Sequence, residues 1–293
     1  MKLIHKYTRD GLNLLGGHWE PSKKETCVVL IHGMYDNIIE NCFAQQVGKD
    51  LAAAGYGFIF CHTRGYGVIN SIITKDPITG KRKNKIIGST YEKFAESIYD
   101  VEAWIEKAKE LGYKKVILAS HSMGGCKNLH YIATKGLSGI DKLLFISIPD
   151  AVGYFNNYEV TRLKEAKELV KKGRGKELLS EKIVGGIFPI SARTMCGFRR
   201  GSSIDRFPIM DNPDDFGILS KIEKPICMIL AEHDSVIVKS AKEDLALVKT
   251  KMKNCSNFYT DIVEGATHRF INKDKQLAVK ILAWLKSFEG EGK

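Results

Sequence analysis

The chain has 293 residues, of which 44% are hydrophobic and 27% charged, and it carries a formal net charge of +11 at pH 7. This length and composition favour one large globular domain with a small insertion, and no apolar run reaches the roughly 18 residues of a membrane span or forms the core of a signal peptide. The positive charge does not indicate a nucleic-acid partner, because lysines alternate with glutamates on predicted helices and no RNA-recognition or C2H2 zinc-finger pattern is present.

Apolar runs of strand length alternate along the chain with longer segments of helical period. An antiparallel edge strand is predicted within residues 11–19. The buried strands that follow are predicted at residues 26–33, 57–65, 114–122, 142–150, 224–234 and 257–265. Between them, residues 91–112 predict a helix, because apolar side chains from Phe94 to Ala108 recur at three- and four-residue steps. The alternation predicts an α/β fold with a mainly parallel sheet covered by helices on both faces.

Two segments interrupt this alternation. Residues 65–88 form a long, irregular and basic excursion. Residues 151–220 begin with a basic helix and continue into a stretch dense in Gly, Pro and Asp, which is too long for a bare connection. We therefore predict a core formed by residues 1–150 and 221–293, with residues 151–220 as a small cap insertion over the carboxyl edge of the sheet.

The segment that carries the chemistry is KKVILASHSMGG, residues 114–125. An apolar strand leads into Ser120, and a helix is predicted to follow Gly124. This pattern is typical of a nucleophile elbow, a tight strand-to-helix turn that presents a serine, here Ser122, above the sheet edge. The close approach of strand and helix requires small residues two positions before and after that serine, and Ser120 and Gly124 meet the requirement.

A serine hydroxyl is a poor nucleophile without a neighbouring base, and the base needs an acid that orients it. His268 lies between the last predicted strand and the last predicted helix, and we predict it as the base in preference to His233. Asp234 ends the penultimate strand and is the predicted acid, with Asp150, one strand earlier, as the alternative.

Acyl transfer also requires N–H donors for the oxyanion that forms on the substrate. His32, Gly33 and Met34 follow the first buried strand, and the glycine permits a turn that aims the Met34 N–H into the site. Met123, directly after the serine, is predicted to supply the second N–H. His32 itself is interpreted as a buried residue that supports this loop.

Candidates for substrate binding come from the same loop and from the predicted cap, and they are Tyr35, Arg193, Arg199 and Arg200. The planar guanidinium groups of the arginines are suited to a carboxylate or a phosphate on the substrate. The alternative is that these arginines are solvated or paired with nearby aspartates such as Asp205.

These motifs resemble those of the α/β-hydrolase superfamily over nearly the whole chain. The matching motifs, in the order of that superfamily, are HGM at 32–34, HTRGYG at 62–67, SHSMGG at 120–125, AEHD at 231–234 and GATH at 265–268. The long loop after HTRGYG and the segment FPISARTM (188–195) are similar to bacterial members of its DUF1749 branch, which includes siderophore-ester hydrolases. The resemblance implies an α/β-hydrolase fold and an esterase-like activity.

Taken together, the residues predict a serine hydrolase that cleaves a small-molecule carboxylic ester through an acyl-enzyme. A thioesterase or an amidase would use the same residues, and a non-catalytic ligand-binding protein on the same fold is the alternative from a different class. No metal or organic cofactor is expected, because His and Cys do not cluster at ligand spacing and no phosphate-binding glycine motif follows a strand. Seven cysteines without a CxxC pair favour a reducing, cytoplasmic setting without disulfides, and the oligomeric state is not predicted.

Overall fold

The computed structural model describes residues 1–288, and seven of its ten strands lie close to the predicted apolar runs, whereas the strands at residues 2–7, 70–75 and 82–87 were not predicted. The strands are β1 (Lys2–Tyr7), β2 (Asn13–Trp19), β3 (Thr26–Ile31), β4 (Gly57–Cys61), β5 (Asn70–Lys75), β6 (Arg82–Ile87), β7 (Lys115–His121), β8 (Lys142–Ile146), β9 (Ile226–His233) and β10 (Phe258–Thr267). Eight of these strands form one sheet in the order β1-β2-β4-β3-β7-β8-β9-β10.

The larger part of this sheet is parallel. Neighbouring strands are parallel throughout the series β4-β3-β7-β8-β9-β10. At one edge of the sheet, β2 pairs antiparallel with both β1 and β4. Central parallel strands are buried on both faces, which explains near-continuous apolar sequences such as CVVLI in β3.

The helices cover both faces of the sheet. They are α1 (Ala44–Ala53), α2 (Ser97–Glu110), α3 (Gly124–Lys135), α4 (Ala151–Tyr158), α5 (Val160–Lys171), α6 (Ala192–Met195), α7 (Ala241–Lys251) and α8 (Asp274–Lys286). Alternate residues of β3 belong to two different buried clusters: Val29 packs with α2, α3 and α7, whereas Leu30 packs with α1 and α8. The predicted architecture, a mainly parallel sheet between two layers of helices, is confirmed.

Residues 65–88 are not irregular as the sequence suggested, because they contain the antiparallel hairpin formed by β5 and β6. Asp76 stabilises the turn, since its carboxylate accepts hydrogen bonds from two backbone N–H groups, the shorter from Thr79 at 2.8 Å. At the base of the turn, the Lys75 N–H donates to the Gly11 carbonyl at 2.9 Å. The hairpin is therefore attached to the connection between β1 and β2.

The helix predicted over residues 91–112 begins later than expected, at Ser97. Glu92 has an extended backbone, with φ −62° and ψ 128°, and its carboxylate points inward to an ion pair with Lys127 of α3 at 2.8 Å. Phe94 then lies in a short 3-10 turn rather than on the helix. The extended backbone at Glu92 excludes a helix at residue 92, and the apolar periodicity alone does not reveal it.

Residues 151–220 connect β8 to β9 and contain α4, α5 and α6. Their apolar side chains join the same buried cluster as α2 and α3. In the loop after β3, the Tyr35 hydroxyl donates to the Pro189 carbonyl at 3.1 Å, and the Tyr35 ring stacks on Phe188 with 4.0 Å between centroids. The segment thus contacts a loop at the carboxyl edge of the sheet, and its division from the core as a cap remains a prediction.

Candidate active site

Ser122 lies in the turn between the end of β7 and the start of α3, with a backbone φ of +54°. A left-handed conformation is unfavourable for serine by about 1–3 kcal/mol, so the surroundings must stabilise it. They do so through the Ser122 N–H, which donates to the Ile146 carbonyl at 2.9 Å, and through the Ser122 carbonyl, which accepts from the Gly125 N–H at 2.9 Å. This turn has the strained geometry expected of a nucleophile elbow.

Two glycines permit the close packing around Ser122. A Cβ on Gly124 would lie 2.1 Å from the Ile31 carbonyl oxygen of β3, and a Cβ on Gly33 would lie 2.7 Å from the Cβ of Ser122. Real Cβ atoms essentially never approach so closely. Gly124 therefore lets the start of α3 pack against the end of β3, and Gly33 lets the loop after β3 pack directly against the serine.

The structure brings Ser122, His268 and Asp234 together from three different loops at the carboxyl edge of the sheet. The distance from Ser122 Oγ to His268 Nε2 is 2.9 Å, and the distance from His268 Nδ1 to Asp234 Oδ1 is 2.7 Å. Because a carboxylate only accepts hydrogen bonds, Nδ1 carries the imidazole proton and Nε2 is free to accept from the serine hydroxyl. This is the tautomer that a general base requires.

Asp234 is buried beneath the imidazole. Burial alone would raise the pKa of its carboxyl group, but the hydrogen bond and the charge interaction with His268 outweigh this effect and keep the pKa below its usual value. Its Oδ1 also accepts from the Val236 N–H at 3.1 Å, which orients the carboxylate. Asp234 is therefore ionised at neutral pH and stabilises a positive charge on the imidazole.

The alternative base and acid lie elsewhere. The side chain of His233 is 67% exposed and lies near Glu232. Asp150 caps α4, accepting from the Gly153 N–H at 2.7 Å, and pairs with Arg200. Neither residue contacts His268 in the part of the chain that the structure describes.

The loop after β3 is organised by His32. The Thr63 N–H donates to His32 Nε2 at 3.0 Å, so the imidazole proton lies on Nδ1, which donates to the Gly33 carbonyl at 2.6 Å. Because the C=O and N–H of a trans peptide point in opposite directions, the Met34 N–H is turned away from His32. Within residues 1–288, neither this N–H nor that of Met123 donates a hydrogen bond, so both are left to donate to another acceptor.

A buried charge supports this loop, and the sequence did not predict it. Lys127 of α3 is fully buried; its ammonium group donates to Thr63 Oγ1 at 2.9 Å, and Thr63 Oγ1 is 3.0 Å from His32 Nε2. The ion pair with Glu92 compensates the lysine charge. The signal available from the sequence was the position of Lys127, three residues after the start of a helix that begins directly behind the serine.

The pKa values of three buried histidines near this loop predict how the stability of the fold depends on pH. Burial lowers the pKa of His121 to about 3 and that of His62 to about 4, and burial and the Lys127 charge hold that of His32 well below its ordinary value. In the unfolded chain the same groups titrate near pH 6.5, so between about pH 6.5 and 4 the unfolded state binds more protons. The free energy of unfolding is therefore expected to fall on acidification, by up to about 1.4 kcal/mol per pH unit for each histidine.

Asp36 has the opposite effect on the free energy of unfolding, because burial raises the pKa of its carboxyl group to about 6. Between about pH 4 and 6 it therefore offsets the loss of stability caused by one histidine. Urea denaturation at pH 7 and pH 5 measures the net effect. His62→Gln, which keeps an acceptor for the Ile38 N–H, should reduce the pH dependence, whereas His233→Gln at an exposed site should not. Equal stability of the wild type at both pH values would contradict this prediction.

A cleft of about 1100 Å³ is lined in part by Met34 and by Met123, the residue directly after Ser122, whereas Ser122, Asp234 and His268 are not among its lining residues. The other parts of its lining come from Arg64, from β6, and from residues within 89–96 and 170–204. Of the predicted substrate-binding residues, Arg193 and Arg199 line this cleft. It is larger than many small-molecule sites, which measure about 300–1,000 Å³.

The other two, Tyr35 and Arg200, are not among the residues that line the cleft, and their part in substrate binding stays a prediction. Arg200 pairs with Asp150 at 3.1 Å, with Asp205 at 2.8 Å and with Asp211 at 2.7 Å, so its charge is fully engaged. The alternative considered for this arginine, a salt bridge to Asp205, is the arrangement observed. Tyr35 is buried, and its contacts with residues 188–189 give it a structural role.

Residues 1–288 contain no group of three or more His, Cys, Asp or Glu side chains arranged to hold a metal ion. Among the helices of the same residues, none has both the length and the apolar character needed to cross a bilayer.

Comparison with known families gives two matches. The model of a family described as a protein of unknown function, DUF1749, matches residues 88–286. A model described as serine aminopeptidase S33 matches residues 22–147. A comparison with curated proteins gave no significant match.

Several solved structures are similar along almost the whole chain. The α/β hydrolase GrgF from Penicillium sp. has a TM-score of 0.68 and 16% identity, with 98% of each chain covered. The siderophore hydrolase EstB from Aspergillus fumigatus has a TM-score of 0.66 and 13% identity, covering 98% of this chain and 97% of that one. An esterase from Pyrococcus furiosus has a TM-score of 0.63 and 15% identity, covering 99% of this chain and 91% of that one. At these identities the comparisons show a shared fold.

Proposed function

Because the chain belongs to the DUF1749 family and has the α/β-hydrolase fold, we propose that it is a serine hydrolase that cleaves a carboxylic ester. The observation that supports this most is the continuous hydrogen-bonded series from Ser122 Oγ through the His268 imidazole to Asp234, at 2.9 Å and 2.7 Å. Three side chains from separate loops meet in the protonation state that acyl transfer requires.

In the proposed mechanism, Ser122 Oγ attacks the ester carbonyl carbon while its proton passes to His268 Nε2. The carbonyl oxygen becomes an oxyanion that accepts hydrogen bonds from the Met34 and Met123 N–H groups. Collapse of this intermediate breaks the bond to the alcohol oxygen, which takes the proton from His268 as the alcohol leaves. A water molecule, deprotonated by His268, then attacks the acyl-enzyme, and the acid is released as the proton returns to Ser122.

The other protein groups act on these steps electrostatically. Asp234 stabilises the imidazolium that exists between the two proton transfers and does not itself take the proton. Each N–H donor to the oxyanion contributes about 10²- to 10³-fold to such reactions. The His32 contact with the Gly33 carbonyl keeps the Met34 N–H in place before substrate arrives, so the donor needs no rearrangement during the reaction.

The same residues would also serve a thioesterase or an amidase, and a non-catalytic binding protein is the alternative from another class. Two of the structural neighbours are described as an esterase and a siderophore hydrolase, which favours an ester. A panel of one acyl group presented as oxygen ester, thioester and amide separates the three leaving groups.

The decisive experiment is covalent labelling with a fluorophosphonate probe, which reacts with an activated serine. We expect stoichiometric labelling of the wild type and none of Ser122→Ala. Ser138→Ala, an exposed serine in the loop after α3, is the matched control and should label like the wild type. A wild-type protein that neither reacts with the probe nor hydrolyses any member of the ester panel would exclude the proposed function and leave the binding protein as the better interpretation.

A further inference from the structure

The cleft lined in part by Met34 and Met123 has a strong excess of positive charge. Its lining contains the two carboxylates Glu92 and Glu96, and both are already paired. Glu92 pairs with Lys127, and Glu96 pairs with Arg64 at 2.6 Å and with Lys93 at 3.2 Å. No carboxylate of the cleft is therefore left to compensate its remaining cations.

Four cationic side chains of the lining form no ion pair with any residue between 1 and 288. They are Lys85, Lys176, Arg193 and Arg199, and we call them the basic rim. Neighbouring arginines on residues 151–220 behave differently. Arg162 pairs with Glu159 and Glu181, and Arg174 pairs with Glu177. Thus Arg193 and Arg199, which line the cleft, have no ion pair, whereas other arginines of residues 151–220 do.

The basic rim is assembled from separate parts of the chain around one space. Lys85 comes from β6, whereas the other three members come from residues 176–199. The Arg193 N–H donates to the Gly175 carbonyl at 2.8 Å, which places Arg193 beside Lys176. Like charges held around a concave surface repel each other and create a field that attracts an anion.

The cleft also offers apolar surface for the remainder of a ligand. Met34 and Met123 lie next to the nucleophile, and Phe94 and Phe198 also line the cleft. An apolar region that adjoins the serine, together with unpaired cations, suits a molecule that has both an apolar part and an anionic group.

We propose that the ester hydrolysed at Ser122 carries a carboxylate or phosphate group that is bound by the basic rim. This inference rests on the proposed function, because it places the reacting carbonyl at the Met34 and Met123 end of the cleft. The anion binds away from the reacting atoms, so the basic rim selects the substrate rather than taking part in the proton transfers.

The test compares two esters with the same leaving group and chain length, 4-nitrophenyl hexanoate and the mono-4-nitrophenyl ester of adipic acid, which differ by a terminal carboxylate. A third ester with a terminal phosphate on an acyl chain of similar length distinguishes the two anions. The wild type should prefer an anionic ester by about tenfold or more in kcat/KM, and the preference should shrink as ionic strength rises. A preference for the carboxylate or for the phosphate identifies which anion the basic rim accepts.

The variants Arg193→Gln, Arg199→Gln, Lys176→Gln and Lys85→Gln each remove one charge. Each should lower kcat/KM for the preferred anionic ester by roughly 3- to 20-fold, mainly through KM, and leave the neutral ester almost unchanged. Lys172→Gln and Arg174→Gln, exposed residues of the same segment that do not line the cleft, are the matched controls. Equal losses on both esters, or no loss on either, would overturn the proposal.

A binding measurement separates failure of this proposal from failure of the proposed function. In Ser122→Ala, calorimetry compares the 4-nitroanilide of adipic acid with that of hexanoic acid, and the anionic anilide should bind about tenfold more tightly. Probe labelling of Ser122 together with equal affinity for the two anilides would disprove the anion site and leave the hydrolase intact. Tighter binding of the anionic anilide without labelling would support the site and reject the hydrolase.

Discussion

Replacing Ser122 by alanine is expected to lower ester turnover by about 10⁴- to 10⁶-fold, because the covalent intermediate can no longer form. His268→Ala should have an effect of similar size, since the hydroxyl then lacks its base. Asp234→Ala should retain the most activity of the three, because the imidazole keeps its contact with the serine and loses only the group that orients and stabilises it.

The three residues are expected to act as a unit. A double variant that lacks two of them should lose little more activity than the worse single variant, because removal of one already disables the others. Steady-state turnover of one activated ester by purified single and double variants measures this. Asp150→Ala and His233→Ala are the matched controls, and a large loss in Asp150→Ala with turnover preserved in Asp234→Ala would overturn the assignment of the acid.

Lys127→Met is expected to lower the free energy of unfolding by about 3–5 kcal/mol, because it leaves the buried Glu92 carboxylate without its partner. Glu92 is only 7% exposed, so water replaces the lysine incompletely. The double variant Lys127→Met/Glu92→Leu removes both charges and should regain most of the lost stability, since an apolar pair of similar volume needs no compensation.

Chemical denaturation of the single and double variants measures this coupling. Lys135→Met is the matched control on the same helix, because its ion pair with Glu102, at 3.4 Å, is partly exposed and should contribute less than about 1 kcal/mol. A Lys127→Met protein as stable as the wild type, or a double variant no more stable than the single one, would show that the pair is not a buried structural element.

The sheet, and the proximity of the three residues predicted to be catalytic, could be read from the sequence because their signals are local. Buried parallel strands are apolar throughout, so β3 and β7 are visible as short runs. The loops that follow parallel strands meet at one edge, and this places Ser122, Asp234 and His268 near one another once the strand order is known. The other contacts of the site follow no pattern of this kind in the sequence.

The features that could not be predicted from the sequence depend on residues that are distant from one another along the chain. The hairpin of residues 70–87 depends on a turn closed by Asp76, within a segment that was predicted to be an irregular, basic excursion. Lys127 resembles any helical lysine until Glu92, 35 positions earlier, is seen beside it. Arg200 and Arg199 are adjacent and chemically identical, yet only Arg200 is held by three aspartates, because charge alone does not say which way a side chain faces.

The attachment of the β5–β6 hairpin at Gly11 makes the width of the cleft depend on a residue far from the chemistry. Gly11 has a φ of +87°, and a Cβ at that position would lie 1.9 Å from the Lys75 carbonyl oxygen. Any larger residue there would push away the hairpin whose second strand forms part of the cleft lining. A substitution at the turn between β1 and β2 is thus expected to change the shape of the cleft, although this turn is far from Ser122, Asp234 and His268 in the sequence.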